Sequence, residues 1–154
     1  MVGNEDFIPG DALAAVTQNT ADMILRWHRY LTTEKRMSPK TVTAYGRDMG
    51  SFVAFMSDYK GEAITPSLLI KLRVPEFRAW LARLRSNGLS PRSVARSLSA
   101  LKNFYRYLSR IEGIENDAIA AVQSPKLPHR VPRPLTEASA ETVLETIGDF
   151  ASEP

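Results

Sequence analysis

The sequence contains no cysteine and only two histidines, His28 and His129, among its 154 residues. The absence of cysteine excludes disulfides and thiolate metal sites, and two histidines are too few for a histidine-based metal cluster. We therefore expect no metal and no other cofactor. A chain without cysteine is also compatible with a reducing compartment.

Long apolar runs are missing as well. No stretch approaches the roughly 18 apolar residues that a membrane-spanning helix needs. The first residues, MVGNEDFIPGDALAAV, have neither a basic region nor the apolar core of a signal peptide. We expect a cytoplasmic protein with no membrane span and no small-molecule ligand.

Acidic residues are scarce in the middle of the chain. Residues 35–110 contain 15 Lys or Arg against 4 Asp or Glu, whereas residues 1–34 contain 2 against 5 and residues 111–154 contain 3 against 8. A basic segment between acidic flanks favours a polyanionic partner such as nucleic acid. The alternative is a solvated helical surface on which basic residues cluster by chance.

Period-2 runs of β-branched residues are absent, and apolar residues recur at helical spacing. We therefore expect an all-α protein with four to five helices. The first helix is predicted to start after Asn19 or Thr20, either of which can serve as its N-cap. A third helix is predicted over 75–86, and a short fifth one follows Asn116 or Asp117.

The second and fourth helices both begin at a Ser-Pro pair. Serine suits the N-cap, and proline suits the first turn because its missing N–H is not needed there. Ser38-Pro39 is predicted to open a helix over 39–58, and Ser90-Pro91 a helix over 91–110. We refer to these two as the Ser-Pro helices.

A proline-rich stretch, SPKLPHRVPRP, follows the predicted helices. Its four prolines exclude a helix and indicate an extended linker. The predicted organisation is an irregular or weakly helical segment over 1–18, a helical domain over 19–123, a linker over 124–135, and a helix that begins a further domain over 136–154. Because that last helix has nothing to pack against, we expect the chain to be part of a longer protein.

The second Ser-Pro helix has two different sides. One side is apolar, with Val94, Leu98, Leu101, Tyr105 and Leu108, and is widened by Phe104 and Ile111. The other side carries Arg92, Arg96, Ser99, Asn103, Arg106 and Arg110, spaced by three or four residues without an acidic one. This polar stripe is about 27 Å long, which is enough to cross a DNA major groove.

The first Ser-Pro helix has a shorter polar stripe, which consists of Lys40, Thr43, Arg47 and Ser51. Gly50 and Ala54 on that side are small enough to let the backbone of a partner approach. An ordinary solvated helix face would mix charges of both signs, because Glu–Lys pairs one turn apart stabilise a helix. The uniform sign favours contact with DNA over a solvated face.

Three stretches together resemble a known family. LSPRSVARSLSALKNFYRYL and MSPKTVTAYGRDMGSFVAFM resemble the N-terminal core-binding domain of tyrosine recombinases, the phage integrase family, and the second contains that family's common Thr-x-x-x-Tyr-x-x-Asp pattern at Thr41, Tyr45 and Asp48. SPKLPHRVPRPLTEASAETVL resembles the crossing into the catalytic domain. The resemblance covers about residues 20–148 and is greatest to the XerC/XerD-type subgroup. It implies a SAM-like orthogonal bundle of helices.

The resemblance also implies a domain that clamps one side of a recombination half-site on double-stranded DNA, with both Ser-Pro helices in the major groove. Partner recombinase subunits would complete a tetramer on the DNA. By matching position, the expected DNA contacts are Lys40, Thr41, Thr43 and Arg47 from the first Ser-Pro helix, Arg92, Ser93, Arg96, Ser99, Asn103 and Arg106 from the second, and Arg130 and Arg133 from the linker.

Catalysis in that family needs a tyrosine that forms a 3′-phosphotyrosyl link, together with cationic side chains that stabilise the transferring phosphoryl group. No Arg, Lys, His or Tyr follows Pro134, so this chain is not expected to break DNA. The longer parent would be a recombinase that resolves chromosome dimers at cell division. All five tyrosines precede Pro134, and Tyr45 and Tyr105 are expected in the core.

Two alternatives stay open. The same domain could come from a phage or mobile-element integrase. The basic face could instead belong to a helical protein-interaction module with an acidic partner.

Overall fold

In the computed structural model of the chain, residues 7–124 are described, and they form an all-α bundle. The predicted fold class is confirmed. The helices are α1 (Gly10–Leu13), α2 (Gln18–Arg29), α3 (Pro39–Lys60), α4 (Pro66–Lys71), α5 (Val74–Ser86), α6 (Pro91–Tyr107) and α7 (Ala118–Ala121). Two π-helical turns, Tyr30–Glu34 and Leu108–Glu112, extend α2 and α6.

The Ser-Pro helices α3 and α6 start where the sequence predicts. The hydroxyl of Ser38 accepts a hydrogen bond of 3.2 Å from the backbone N–H of Thr41, and the hydroxyl of Ser90 accepts one of 3.1 Å from Ser93. Each cap satisfies one of the backbone donors that a helix start leaves without a partner. Gly61 ends α3 with φ of 71°, in the left-handed region that glycine adopts without strain.

The predicted caps of the first helix are wrong. Helix α2 begins at Gln18 with Thr17 at its N-cap position. Thr20 cannot serve as the cap because its side chain is buried and its hydroxyl donates a hydrogen bond of 2.8 Å to the carbonyl oxygen of Ile64. That bond ties α2 to the loop between α3 and α4.

Aromatic side chains fill the centre of the bundle. Trp27 of α2 is fully buried, stacks on Tyr45 with ring centroids 6.1 Å apart, and meets Phe104 edge-on at 5.1 Å. Tyr105 is buried as well, and its hydroxyl donates a hydrogen bond of 2.9 Å to the carbonyl oxygen of Leu69. The expected core positions of Tyr45 and Tyr105 are therefore confirmed.

The apolar stripe of the second Ser-Pro helix ends earlier than predicted. Ile111 is 59% exposed and lies outside the core. The reason is the π-helical turn Leu108–Glu112, whose wider spacing shifts the phase of the residues that follow Tyr107.

The N-terminal segment crosses α3 at two glycines. A Cβ atom at Gly46 would overlap the carbonyl oxygen of Phe7, and one at Gly50 would lie 2.6 Å from Cδ of Pro9. Phe7 and Ala12 are buried in the common core. The expectation that Gly50 faces a partner is therefore wrong, since this chain's own N-terminal segment covers it.

Candidate DNA-binding surface

Helices α3 and α6 pack against each other and are joined by a buried carboxylate. Asp48 of α3 is 5% exposed. Its Oδ1 accepts hydrogen bonds from Nη2 of Arg96 at 2.8 Å and from the hydroxyl of Ser97 at 2.9 Å, and its Oδ2 accepts one from Nε of Arg96 at 3.2 Å. Arg96 therefore has a fixed position relative to both helices.

The starts of α3 and α6 present basic side chains to solvent. Lys40 and Arg92, each the second residue of its helix, are exposed. Thr41 and Ser93 are half-buried, and their hydroxyls accept hydrogen bonds of 3.0 Å and 3.1 Å from the capping serines. The caps hold these two hydroxyls at the helix ends, where free backbone N–H groups also favour an anion.

Along α3, the predicted polar stripe is only partly open. Arg47 is exposed and Thr43 is half-buried. The hydroxyl of Ser51 accepts a hydrogen bond of 3.2 Å from Nε1 of Trp80, so it serves the packing of α5 on α3. The open part of the predicted stripe thus lies on the first half of α3.

Along α6, the outer face carries Arg92, Ser99 and Arg106 as predicted, and also Lys102, which is not among the predicted contacts. Lys102 lies three residues after Ser99 and four before Arg106, so its helical phase could have identified it. Burial, followed by the charge of Arg106, lowers the pKa of Lys102. Burial and then the charge of Arg110 likewise lower the pKa of Arg106.

Both cations are half-buried, and removal from water disfavours their positive charge. Helix α6 itself contains no Asp or Glu, and within residues 7–124 no carboxylate forms an ion pair with Lys102. An anionic ligand on this face would relieve the repulsion between its neighbouring cations.

Asn103 does not belong to this face. It is 2% exposed, and its Oδ1 accepts a hydrogen bond of 2.9 Å from Nε1 of Trp27. Asn103 lies at the edge of the polar stripe, next to the side of α6 that faces the core. Its predicted outward orientation is wrong because the buried indole N–H needs an acceptor.

Arg130 and Arg133 lie outside the described residues, as do all but the first residue of the predicted linker over 124–135 and the whole predicted helix over 136–154. Within residues 7–124, no cluster of side chains could hold a metal ion. In the same range, no helix has the length and apolar character needed to cross a bilayer.

Comparison with known proteins gives a family and several relatives. The profile of the phage integrase N-terminal SAM-like domain matches residues 24–112. The chain is 34% identical over 137 residues to the tyrosine recombinase XerC of Bradyrhizobium diazoefficiens. The aligned residues cover 89% of this chain and 43% of that protein.

The tyrosine recombinases XerC of Rickettsia bellii and Rickettsia rickettsii are 29% and 31% identical to the chain, over 85% and 84% of its length. This chain spans 43% of the length of each of these two relatives as well. No solved structure matches the chain significantly.

Proposed function

Because this chain belongs to the family of phage integrase N-terminal SAM-like domains, we propose that it is the DNA-binding domain of a XerC/XerD-type site-specific tyrosine recombinase. In this proposal α3 and α6 lie in the major groove of a recombination half-site. Lys40, Arg47, Arg92 and Arg96 contact the DNA there together with Lys102 and Arg106.

The observation that carries the proposal is the row of cations that α6 presents on its outer face. Arg92, Lys102 and Arg106 are open to solvent or half-buried there, without an acidic residue in the helix. The one carboxylate between the two Ser-Pro helices, that of Asp48, is buried beneath Arg96. An array of cations on one helix face matches the spaced phosphates that flank a groove.

The parent protein would carry the chemistry in a further domain. Names of the relatives support a tyrosine recombinase, and we propose that the parent acts in the cytoplasm as part of a tetramer on DNA that resolves chromosome dimers at cell division. Arg130 and Arg133 would contact phosphates between the two domains. This chain would supply binding and positioning but no bond breakage.

The salt dependence of binding tests the proposal. Affinity of the 154-residue chain for a labelled DNA duplex is measured by fluorescence anisotropy between about 50 and 200 mM KCl. Each phosphate contact contributes a slope of about −0.9 in log affinity against log salt. We expect Arg47→Ala to reduce the slope by about 1, because Arg47 is an exposed cation on the open half of α3.

Polyglutamate serves as the control ligand. A helical protein-interaction module with an acidic partner would bind polyglutamate as tightly as duplex DNA. A folded chain that binds no duplex even at the lowest salt would refute the proposed function.

A further inference from the structure

We propose that Asp48 is a positioning residue for DNA recognition, which holds Arg96 so that the outer edge of its guanidinium donates to a pair of acceptor atoms on the DNA. The inference rests on the proposed function and adds to it a carboxylate that a DNA-binding surface would otherwise be expected to avoid. Coulomb repulsion between a carboxylate and phosphates weakens binding, so its presence beneath the surface needs a reason.

The geometry of the pair defines which donors stay available. Asp48 takes the edge formed by Nε and Nη2 of Arg96. A guanidinium has five N–H groups in one plane, so three remain, two on Nη1 and one on Nη2. One hydrogen from each of these nitrogens forms a second fork, on the side away from Asp48.

The side chain of Arg96 is partly open to solvent. It is 43% exposed, and within the described part of the chain Asp48 is its only ion-pair partner. A fork of two parallel N–H groups fits two phosphate oxygens, or O6 and N7 of guanine in the major groove. The chemistry recognised is therefore a pair of oxygen or nitrogen acceptors on duplex DNA.

Preorganisation explains how the carboxylate helps. A free arginine side chain loses conformational entropy when a partner immobilises it, and an arginine that is already held loses less. The hydroxyl of Ser97 donates to Oδ1 of Asp48, the oxygen that also accepts from Nη2 of Arg96. Asp48 is thus fixed from α6 at two adjacent residues, and both the position and the plane of Arg96 follow from it.

The charge and the position of Asp48 predict opposite results for one substitution. Asp48→Asn removes a negative charge, so a purely electrostatic role predicts tighter DNA binding. A positioning role predicts weaker binding, by about tenfold, because the amide offers one acceptor oxygen in place of two and releases Arg96. Duplex affinity of the 154-residue chain at fixed salt separates the two.

The double variant Asp48→Asn/Arg96→Ala completes a double-mutant cycle with the two single variants. If Asp48 acts through Arg96, the double variant binds DNA no more weakly than Arg96→Ala alone. Losses that multiply in the double variant, or an Asp48→Asn chain that binds as tightly as the wild type, would overturn the inference.

A second pair of variants keeps the test decisive if Asp48→Asn unfolds. Arg96→Lys keeps the charge and loses the fork, and we expect it to bind DNA about as weakly as Arg96→Ala. Arg47→Lys is the matched comparison, because exposed Arg47 has no carboxylate partner within residues 7–124; as a proposed DNA contact that nothing holds in a fixed plane, it should lose less affinity than Arg96→Lys. Wild-type affinity for Arg96→Lys would rule out the positioned fork.

The failure of this inference can be told apart from the failure of the proposed function. If the wild-type chain binds no duplex, the proposed function is lost and the inference with it. If the wild-type chain and Arg47→Lys bind while Arg96 and Asp48 variants behave like the wild type, only the positioning role is refuted. A loss at Arg96 that is equal for all duplex sequences assigns the fork to phosphates, and one confined to duplexes with a particular guanine assigns it to that base.

Discussion

Nε1 of Trp27 donates a hydrogen bond of 2.9 Å to Oδ1 of Asn103, across 76 residues of sequence. Trp27 is fully buried and Asn103 is 2% exposed, so the bond lies in the core between α2 and α6. Asn103 therefore belongs to the scaffold that holds the polar stripe of α6 in place, and not to the stripe itself.

Asn103→Ala should therefore destabilise the fold and leave DNA contact unchanged. The substitution leaves a buried indole N–H without an acceptor, which costs about 1–3 kcal/mol. We expect a lower midpoint in urea unfolding, and wild-type duplex affinity at temperatures where the variant is folded. Ser99→Ala, one turn earlier on α6 and half-buried, is the control and should change stability little. An Asn103→Ala chain with wild-type stability and weakened DNA binding would show that Asn103 contacts DNA.

Gly46→Ala should be destabilising because of the N-terminal segment. The added Cβ would overlap the carbonyl oxygen of Phe7, and relief requires a shift of backbone at a cost of about 1–3 kcal/mol. Thermal unfolding of the variant measures this cost. The same substitution in a chain that lacks residues 1–9 should have no such cost, since the clashing carbonyl is gone. An equal loss in both chains would show that Gly46 matters for another reason.

Glu112→Gln should change how stability depends on pH. Arg26 donates two hydrogen bonds to the Glu112 carboxylate, with nitrogen–oxygen distances of 2.8 Å and 3.1 Å, and these are the largest influence on its pKa, which they lower. Burial raises the pKa of Glu112, and the hydrogen bond from the Tyr107 hydroxyl lowers it further. A carboxylate whose pKa is lower in the folded state stabilises the fold at pH values above its usual pKa of 4.5. This stabilisation is lost as the pH falls through the lowered pKa.

The size of that effect is limited by exposure. Arg26 is 42% exposed, so we expect less than about 1 kcal/mol. Unfolding in urea at neutral pH and below pH 4.5 gives the two values needed. Glu112→Gln should be less stable at neutral pH and should lose less on acidification, whereas the exposed control Glu115→Gln should follow the wild type. Equal acid sensitivity of Glu112→Gln and wild type would contradict the prediction.

Lys102→Ala should weaken DNA binding without loss of stability. Lys102 is half-buried on the outer face of α6, where burial and Arg106 disfavour its charge, so its removal relieves repulsion in the free chain. We expect a duplex salt slope smaller by about 1 and an unchanged or higher melting temperature. Lys60→Ala is the control, because the ion pair of 2.6 Å with Glu76 already neutralises Lys60. Equal effects of both variants on DNA affinity would mean that only net charge matters.

The sequence by itself determined where α3 and α6 begin and where α3 ends. Ser38-Pro39, Ser90-Pro91 and Gly61 act on backbone groups within a few residues of themselves, so their effect does not depend on the rest of the fold. The apolar periodicity likewise determined that Tyr45 and Tyr105 enter the core, and the exposed positions of Lys40, Arg47 and Arg92 agree with the predicted polar stripes.

Only the tertiary structure decided the residues at the margins of those stripes. Asn103 turns inward to Trp27, Arg96 is held by Asp48, and Gly50 is covered by Pro9. Each of these contacts joins residues that are 41 or more positions apart in the chain. A helical period assigns a marginal residue to neither face, because the partner that decides its side lies on another element and is brought there only by folding.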